Sequence, residues 1–474
     1  MTTKIIATLG PASMSRDSIK ALALAGASIF RLNFSHSVAA DFEPVIKSIR
    51  DVESEIGRPL TALGDLCGPK TRIGEIANAP RQIHKGEILR LGLPEENPGS
   101  SDEECFVPLD VPGLLAGLQP GMPVNLSDGM LQFTVTRAIK NDRLYEMEAL
   151  NAGVLSSRKG IAFPGKHHAL PALTDKDIKD LHEGLEIGLN SVAISFVQNA
   201  EDIRHIKGEI KKHDVWVPVI AKLERQNAVD RLEEIVALTD VVMVARGDLG
   251  TECPIAMLPI IQKKIIRACR HAQKPAIVAT QMLLSMVKNP IPTRAEATDV
   301  ANAILDGADC VMLSEESAVG DFPVQAVEYM REISDNAVNY YLERIQGPYA
   351  PKKEVNPSKY LAYAACILAD NAESKALVSH SLSGATARLL SSRRPKQPIY
   401  ALTPDERVVH HMNFVWGAHP RQITATNESH MKRAEKFVAE SPDFKPGESV
   451  VITAGQPTPG QKERFTNQIK LYYK

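Results

Sequence analysis

Eight short apolar, β-rich runs with helical patterns between them constrain the fold of this chain more than any other feature. They are Lys4–Leu9, Ile29–Asn33, Leu60–Asp65, Ser191–Phe196, Val217–Leu223, Val241–Ala245, Ala276–Thr280 and Cys310–Leu313. Alternation of strands with helices predicts a parallel sheet. Eight βα units predict an α/β fold built on a (β/α)8 (TIM) barrel, whose functional groups gather at the C-terminal ends of the strands. Polar residues fall at those ends: Arg31 and Asn33, Asp65, Lys222 and Glu224, Asp248 just past the sixth run, and Thr280. Core packing does not explain polar side chains collected at one end of apolar strands. The helix signals agree. Thr293 and Glu296 form a capping-box pattern after Pro292, Ala297, Val300, Ala301, Ile304 and Leu305 make one apolar face, and Gly307 stops the helix before the eighth run.

About 125 residues separate the third and fourth runs, far more than a βα loop takes. This span holds Pro/Gly clusters and short alternating strands such as Gln132–Ala138 and Leu144–Leu150. We read residues 66–159 as an inserted, mostly β domain that caps the barrel mouth, because it leaves from the strand-end face. Barrel residues are then 1–65 and 160–345. After a Pro-rich linker at 347–357, strand signals return at Ala376–Ser379, Pro398–Leu402 and Ser449–Thr453, marking a C-terminal α/β domain over 346–474.

A formal net charge of −2 gives no footprint for nucleic acid or a membrane surface. No apolar run approaches the length of a membrane span, and the N-terminus lacks a signal-peptide pattern. The six cysteines are scattered with no C-x-x-C, which predicts a reduced, cytoplasmic protein without a zinc site or disulfide framework.

The chemistry starts at VPVIAKLER, residues 217–225. Lys222 and Glu224 are two apart and leave one strand end on the same side. The next run ends in Arg246-Gly247-Asp248. Two carboxylates and a lysine at neighbouring strand ends make a hard-cation site beside a fixed positive charge, as phosphoryl transfer requires. Each stretch alone would pass for a surface ion pair or a turn; together they point to a site. Arg31, Asn33 and Ser35 in RLNFSH suit a phosphate clamp or a plain polar turn. Gly64–Arg72 is a domain junction carrying one acid and the bases Lys70 and Arg72. Ser381–Ala387 follows a strand and opens a helix, which fits an anion site or an N-cap turn with no ligand. No P-loop, protein-kinase or dinucleotide fingerprint is present.

Over essentially its whole length the chain resembles pyruvate kinase, through the ordered words TKIIATLGPAS, RLNFSH, GPK-x-R, KGIAFPG, AKLE, MVARGDLG, ATQML and PTRAEATDVANAILDGADCVMLS. The resemblance implies a (β/α)8 barrel, a β-barrel lid inserted after the third strand and a C-terminal regulatory domain. It also implies phosphoryl transfer from phosphoenolpyruvate to ADP, giving pyruvate and ATP in glycolysis. Glu224 and Asp248 would ligate Mg2+, and a second Mg2+ would arrive with the nucleotide. Lys222 would steady the phosphoryl group, Arg31 and Arg72 would hold phosphate, and the Gly247 backbone would approach the substrate carboxylate. Thr280 would lie near the methylene carbon. Asn33, Phe34, Ser35, His36, Arg72 and Lys159 would contact ADP or ATP. A homotetramer is the implied assembly.

Departures from the family pattern carry information. Potassium-dependent members have threonine and glutamate where this chain has Leu66 and Lys70. A lysine ammonium is itself a monovalent charge, so the expectation is K+-independence, with Lys70 replacing the ion beside Asn33, Ser35 and Asp65. Glu315 stands where a glycine is usual. A phosphorylated effector near Ser381, Ser383, Gly384 and Thr386 is expected if regulation is retained. Two alternatives stay open: an Mg2+-dependent barrel lyase or aldolase acting on pyruvate-type enolates, and a catalytically dead regulatory relative.

Overall fold

The structure is a computed structural model. It describes every residue except 1, 36, 70, 98–104, 128, 167–169, 345–346, 353–354 and 456–465. Eight strands close into a barrel: β1 (Lys4–Thr8), β2 (Ala27–Asn33), β3 (Thr61–Asp65), β4 (Ser191–Ile194), β5 (Val219–Leu223), β6 (Val241–Ala245), β7 (Ala276–Ala279) and β8 (Cys310–Leu313). Each pairs in parallel with its sequence neighbours, and β8 closes on β1. Parallel strands covered on both faces read as unbroken apolar runs. That is why β1, β5 and β6 were legible in the sequence. The helix Arg294–Leu305 has the expected cap: Thr293 Oγ1 accepts the Glu296 N–H, and Glu296 returns to the Thr293 N–H at 2.8 Å. Its buried face is Val300, Ala303 and Ile304, whereas Leu305 is partly exposed. Gly307 follows at φ +102°, a conformation that glycine adopts without strain.

The two ends of the barrel differ. Its interior holds Ile6, Ile29, Leu63, Ala193, Ile220, Met243, Ile277 and Met312, and Phe414 of the C-terminal unit joins that cluster. The Phe414 carbonyl accepts from Cys310 Sγ, at the first residue of β8, at 3.2 Å. Hydrocarbon therefore plugs the N-terminal end, and the C-terminal end is left to polar groups.

The inserted unit has its own core. Its strands form a six-stranded sheet in the order Ile161–Ala162, Pro123–Leu126, Leu131–Lys140, Leu144–Ala149, Ile88–Gly92, Cys105–Pro108, beside a two-stranded pair, Gly153–Leu155 with Arg81–Ile83. This is the inserted β domain expected after the third strand; among the described residues its ladder runs from Ile161–Ala162 at one edge to Cys105–Pro108 at the other. The C-terminal unit is a five-stranded sheet ordered Ala418–Gln422, Ile399–Thr403, Ala376–His380, Ser449–Ala454, Gln468–Tyr473, parallel except for the last pairing. It is tied to the underside of the barrel by Arg394, which bonds Asp309 Oδ1 at 2.9 Å and the Gly307 carbonyl at 2.6 Å, and by Asn413, which donates to the Pro59 carbonyl at 3.0 Å. The barrel, inserted sheet and C-terminal α/β unit match the expected fold class. No helix among the described residues is long and apolar enough to cross a membrane.

Candidate active site

The polar mouth follows from the strand pleat. Positions two apart share a face, so Ile29 leads to Arg31 and Asn33, Leu63 to Asp65, Ala193 to Ser195, and Ile220 to Lys222 and Glu224. The first residue of each series belongs to the interior cluster. Lys222 is the hub. Its Nζ lies 2.9 Å from Glu224 Oε1 and 3.3 Å from Asp65 Oδ1, and it donates to Ser195 Oγ at 2.7 Å. Ser195 Oγ in turn donates to the Leu66 carbonyl at 2.7 Å. Arg31 Nε donates to Asp65 Oδ2 at 2.6 Å and its Nη1 to Thr8 Oγ1 at 3.2 Å. Glu224 Oε2 accepts the Phe196 N–H at 2.6 Å. The ammonium thereby laces together the ends of β3, β4 and β5, and Arg31 carries the network on to β2 and β1.

Charge balance sets the protonation states. Burial opposes the charged form of Lys222, but Asp65 and Glu224 outweigh it and hold the ammonium above its ordinary range. Burial likewise opposes ionisation of Asp65, and Lys222 and Arg31 reverse the effect, holding its carboxyl low. Glu224 behaves differently. Burial pushes it up to about 7 in spite of Lys222, and the negative charge of Asp248 adds to the push. A carboxylate pair with that bias is short of positive charge. Each Glu224 oxygen keeps a lone pair beyond its hydrogen bond. Mg2+ takes one or two protein carboxylates and completes its shell with water and substrate oxygens, so this donor set fits it.

Arg31, Asn33, Ser35, Arg72, Lys159, Lys222, Glu224 and Asp248 line one cavity of about 350 Å3. Its walls come from the barrel and from the inserted unit, which contributes Asn125 and Gly129. Asn125 Nδ2 donates to the Thr251 carbonyl at 2.8 Å across the two. Asp65 lies beneath the cavity, 1% exposed. Gly247 and Thr280 abut each other outside that lining: a Cβ on Gly247 would come within 2.9 Å of Thr280 Cγ2. Thr280 has φ +76° and Gln281 +54°. Positive φ at a β-branched residue is strained, and such strain collects at functional sites. Arg246 braces the turn, its Nη2 donating to the Thr280 carbonyl at 2.9 Å and its Nη1 to Asp299 at 2.7 Å.

Not every expected residue faces the cavity. The Phe34 ring is fully buried and packs edge-on against Phe42 at 5.0 Å, which leaves its backbone as the part that could meet a nucleotide. Leu66 is buried too and offers only its carbonyl. His36 and Lys70 lie outside the described residues. Ser381, Ser383 and Thr386 line a second cavity of about 650 Å3, walled by the C-terminal unit and by Ala272, Gln273 and Lys274 of the barrel. Gly384, at φ +69°, precedes the short helix Ala385–Ser391. Sequence reasoning missed Ser195, Arg225 and Glu252, all lining the reaction cavity. Ser195 carried a usable signal, a hydroxyl at the end of an apolar run. Arg225 is 4% exposed with its guanidinium 4.9 Å over the Phe196 ring, a contact between neighbouring strand ends with no trace in local sequence.

Comparison with known proteins agrees with this geometry. Residues 1–327 match the family model for the pyruvate kinase barrel domain, and residues 359–472 match the model for the pyruvate kinase alpha/beta domain. A pyruvate kinase of Agrobacterium vitis is 41% identical over 471 residues, covering 99% of this chain and 96% of the relative. Pyruvate kinase 2 of Synechocystis sp. is 40% identical, covering 96% and 76% respectively. A pyruvate kinase of Clostridium acetobutylicum is 35% identical, covering 99% and 98%. The chain belongs to the pyruvate kinase family of phosphotransferases.

Proposed function

We propose that this chain transfers the phosphoryl group of phosphoenolpyruvate to ADP, giving pyruvate and ATP as the final step of glycolysis in the cytoplasm. The observation that carries the proposal is the convergence of Lys222, Glu224 and Asp248 on one cavity beside Arg31. Glu224 and Asp248 would hold Mg2+, with a second ion entering on the nucleotide, and the metal would supply Lewis-acid neutralisation of the substrate oxygens. Arg31 and Arg72 grip the phosphate, and Lys222, kept charged by its two carboxylates, neutralises the phosphoryl group between donor and acceptor. Asn33, Ser35, His36, Arg72 and Lys159 hold the nucleotide, with the backbone of Phe34. The Gly247 backbone meets the substrate carboxylate, and Thr280 positions the proton delivered to the methylene carbon of the enolate. The division into barrel (1–65 and 160–345), lid (66–159) and C-terminal unit (346–474) belongs to the proposal, as does a homotetramer; the short strand Ile161–Ala162, just past the lid boundary, completes the lid's sheet.

Incubation with phosphoenolpyruvate, ADP and Mg2+ should yield ATP and pyruvate in equal amounts. Pyruvate without ATP formation would reject the reading in favour of enolate chemistry.

Two finer proposals follow. The first is K+-independence, with Lys70 in the place of the ion; Arg31 and Lys222 already balance Asp65. Activity in tetramethylammonium buffer should match that in KCl, and a large rise on adding K+ would reject it. The second is a phosphorylated effector in the cavity lined by Ser381, Ser383 and Thr386, tested by assaying a panel of sugar phosphates and AMP.

A further inference from the structure

We infer that the crevice between the barrel underside and the C-terminal unit, adjoining the cavity lined by Ser381 and Thr386, takes a ligand of its own, a small organic anion with a flat, apolar body. The crevice has a volume of about 320 Å3 and is walled by Trp216, Asp240 and Lys274 of the barrel and by Arg388, Val408 and His411 of the C-terminal unit; it meets the neighbouring cavity at Lys274, Leu382, Ser383 and Arg388, which line both. Trp216, Asp240 and Lys274 precede β5, β6 and β7, so the crevice opens on the face opposite the reaction cavity.

Three observations define the ligand. The first is His411, which lines the crevice, is 2% exposed and has no hydrogen-bond partner on either ring nitrogen. Buried polar groups are paired almost without exception, and a neutral imidazole offers one donor and one acceptor. Burial, and then the nearby Arg388, Lys274 and Lys207, hold it uncharged.

The second is an excess of positive charge. Lys207 is matched by Asp240 at 2.9 Å. Arg388 donates to the Ser383 carbonyl at 2.9 Å and Lys274 to the Thr239 carbonyl at 2.5 Å, and neither has a carboxylate within 4 Å among the described residues. The one other acid on the wall, Asp405, caps its own helix by accepting the Arg407 N–H at 2.9 Å. A guanidinium and an ammonium with no carboxylate partner favour an anion.

The third is Trp216. It is 38% exposed, and its ring centroid lies 5.5 Å from that of His411. With Val408 it forms an apolar lip beside the cations. A bare inorganic anion would leave that lip unused, whereas a planar organic acid covers it.

Naphthalene-1-sulfonate is a suitable probe of this chemistry. Calorimetric titration of the full-length wild type, with excess phosphoenolpyruvate present, should show one saturable site per chain. Quenching of Trp216 fluorescence should accompany it; the chain has one other tryptophan. Arg388→Gln and Trp216→Ala should each weaken binding about tenfold or more. Ser381→Ala, in the neighbouring cavity, should leave it unchanged. Absence of saturable binding to the wild type overturns the inference. So does full affinity in Trp216→Ala, or loss in Ser381→Ala, which would place the probe in the neighbouring cavity. Trp216 is on the surface, so its variant decides the question even if Arg388→Gln fails to fold.

Discussion

Lys222 has three partners within 3.3 Å: Ser195, Glu224 and Asp65. Its charge belongs as much to the architecture of the site as to the chemistry. Lys222→Met should lower the rate of ATP formation by at least ~10²–10³-fold, the scale for removing a principal electrostatic stabiliser; near-normal turnover would take Lys222 out of its assigned role. Glu224 makes a prediction about pH. With its carboxyl at about 7 before any cation arrives, a metal must displace a proton below that value and need not above it. Apparent Mg2+ affinity of the substrate-free protein should therefore be roughly tenfold weaker at pH 6 than at pH 8, measured by calorimetry; equal affinities would contradict the assignment. Arg31, Asp65, Lys222, Glu224 and Asp248 were legible in the sequence because strand periodicity places them at strand ends. The partner of Arg225 was not, because its stack on Phe196 depends on which strands are neighbours.

At the scale of elements, Gly247 is where a helix start meets a strained turn. Gly247→Ala would put a methyl about as close to Thr280 Cγ2 as atoms are never found, since the ideal position is 2.9 Å away. Activity should fall sharply. Thr280→Ser removes that methyl, so the double variant should recover part of the loss attributable to packing in kcat measurements; no recovery would mean that Gly247 is needed for another reason. The helix Arg294–Leu305 depends on its capping box, and Thr293→Ala should cost about 1 kcal/mol in denaturant unfolding. Elements also show where sequence reading ends. Buried parallel strands announce themselves as apolar runs, and β1 to β8 were all visible. Ala418–Gln422 was missed because AHPRQ carries a proline and no β-branched residue; such a strand is tolerated only at a sheet edge, and there it lies. The antiparallel strand Gln468–Tyr473 was missed too, since its burial is only partial. The apolar pattern of the lid did not reveal how its sheet is laid out, because ladder order depends on long-range pairing.

The whole molecule is held together across the barrel underside. Arg394 and Asp309 are both buried and paired at 2.9 Å. Arg394→Ala would leave Asp309 without its cation and should destabilise the protein by about 3–5 kcal/mol, read by denaturant unfolding. Buried histidines near this seam and in the C-terminal unit set the acid limit. His410 and His380 are each held down to about 3, first by burial and then by neighbouring positive charge. Between pH 6.5 and about 3 the unfolded chain binds those protons and the folded one does not, so stability is full above 6.5 and is lost as pH falls through that window. Each such group contributes a slope of roughly 1.4 kcal/mol per pH unit. Chemical denaturation at pH 7.5 and 5.5 should show the drop, and His410→Gln should lessen it.

The account rests on a divalent cation gripped by Glu224 and Asp248 against the substrate phosphate. Phosphorus relaxation of bound phosphoenolpyruvate, with Mn2+ substituted for Mg2+, tests this most directly. The account predicts strong enhancement in the wild type and its loss in Glu224→Gln, whereas equal enhancement in both would contradict it.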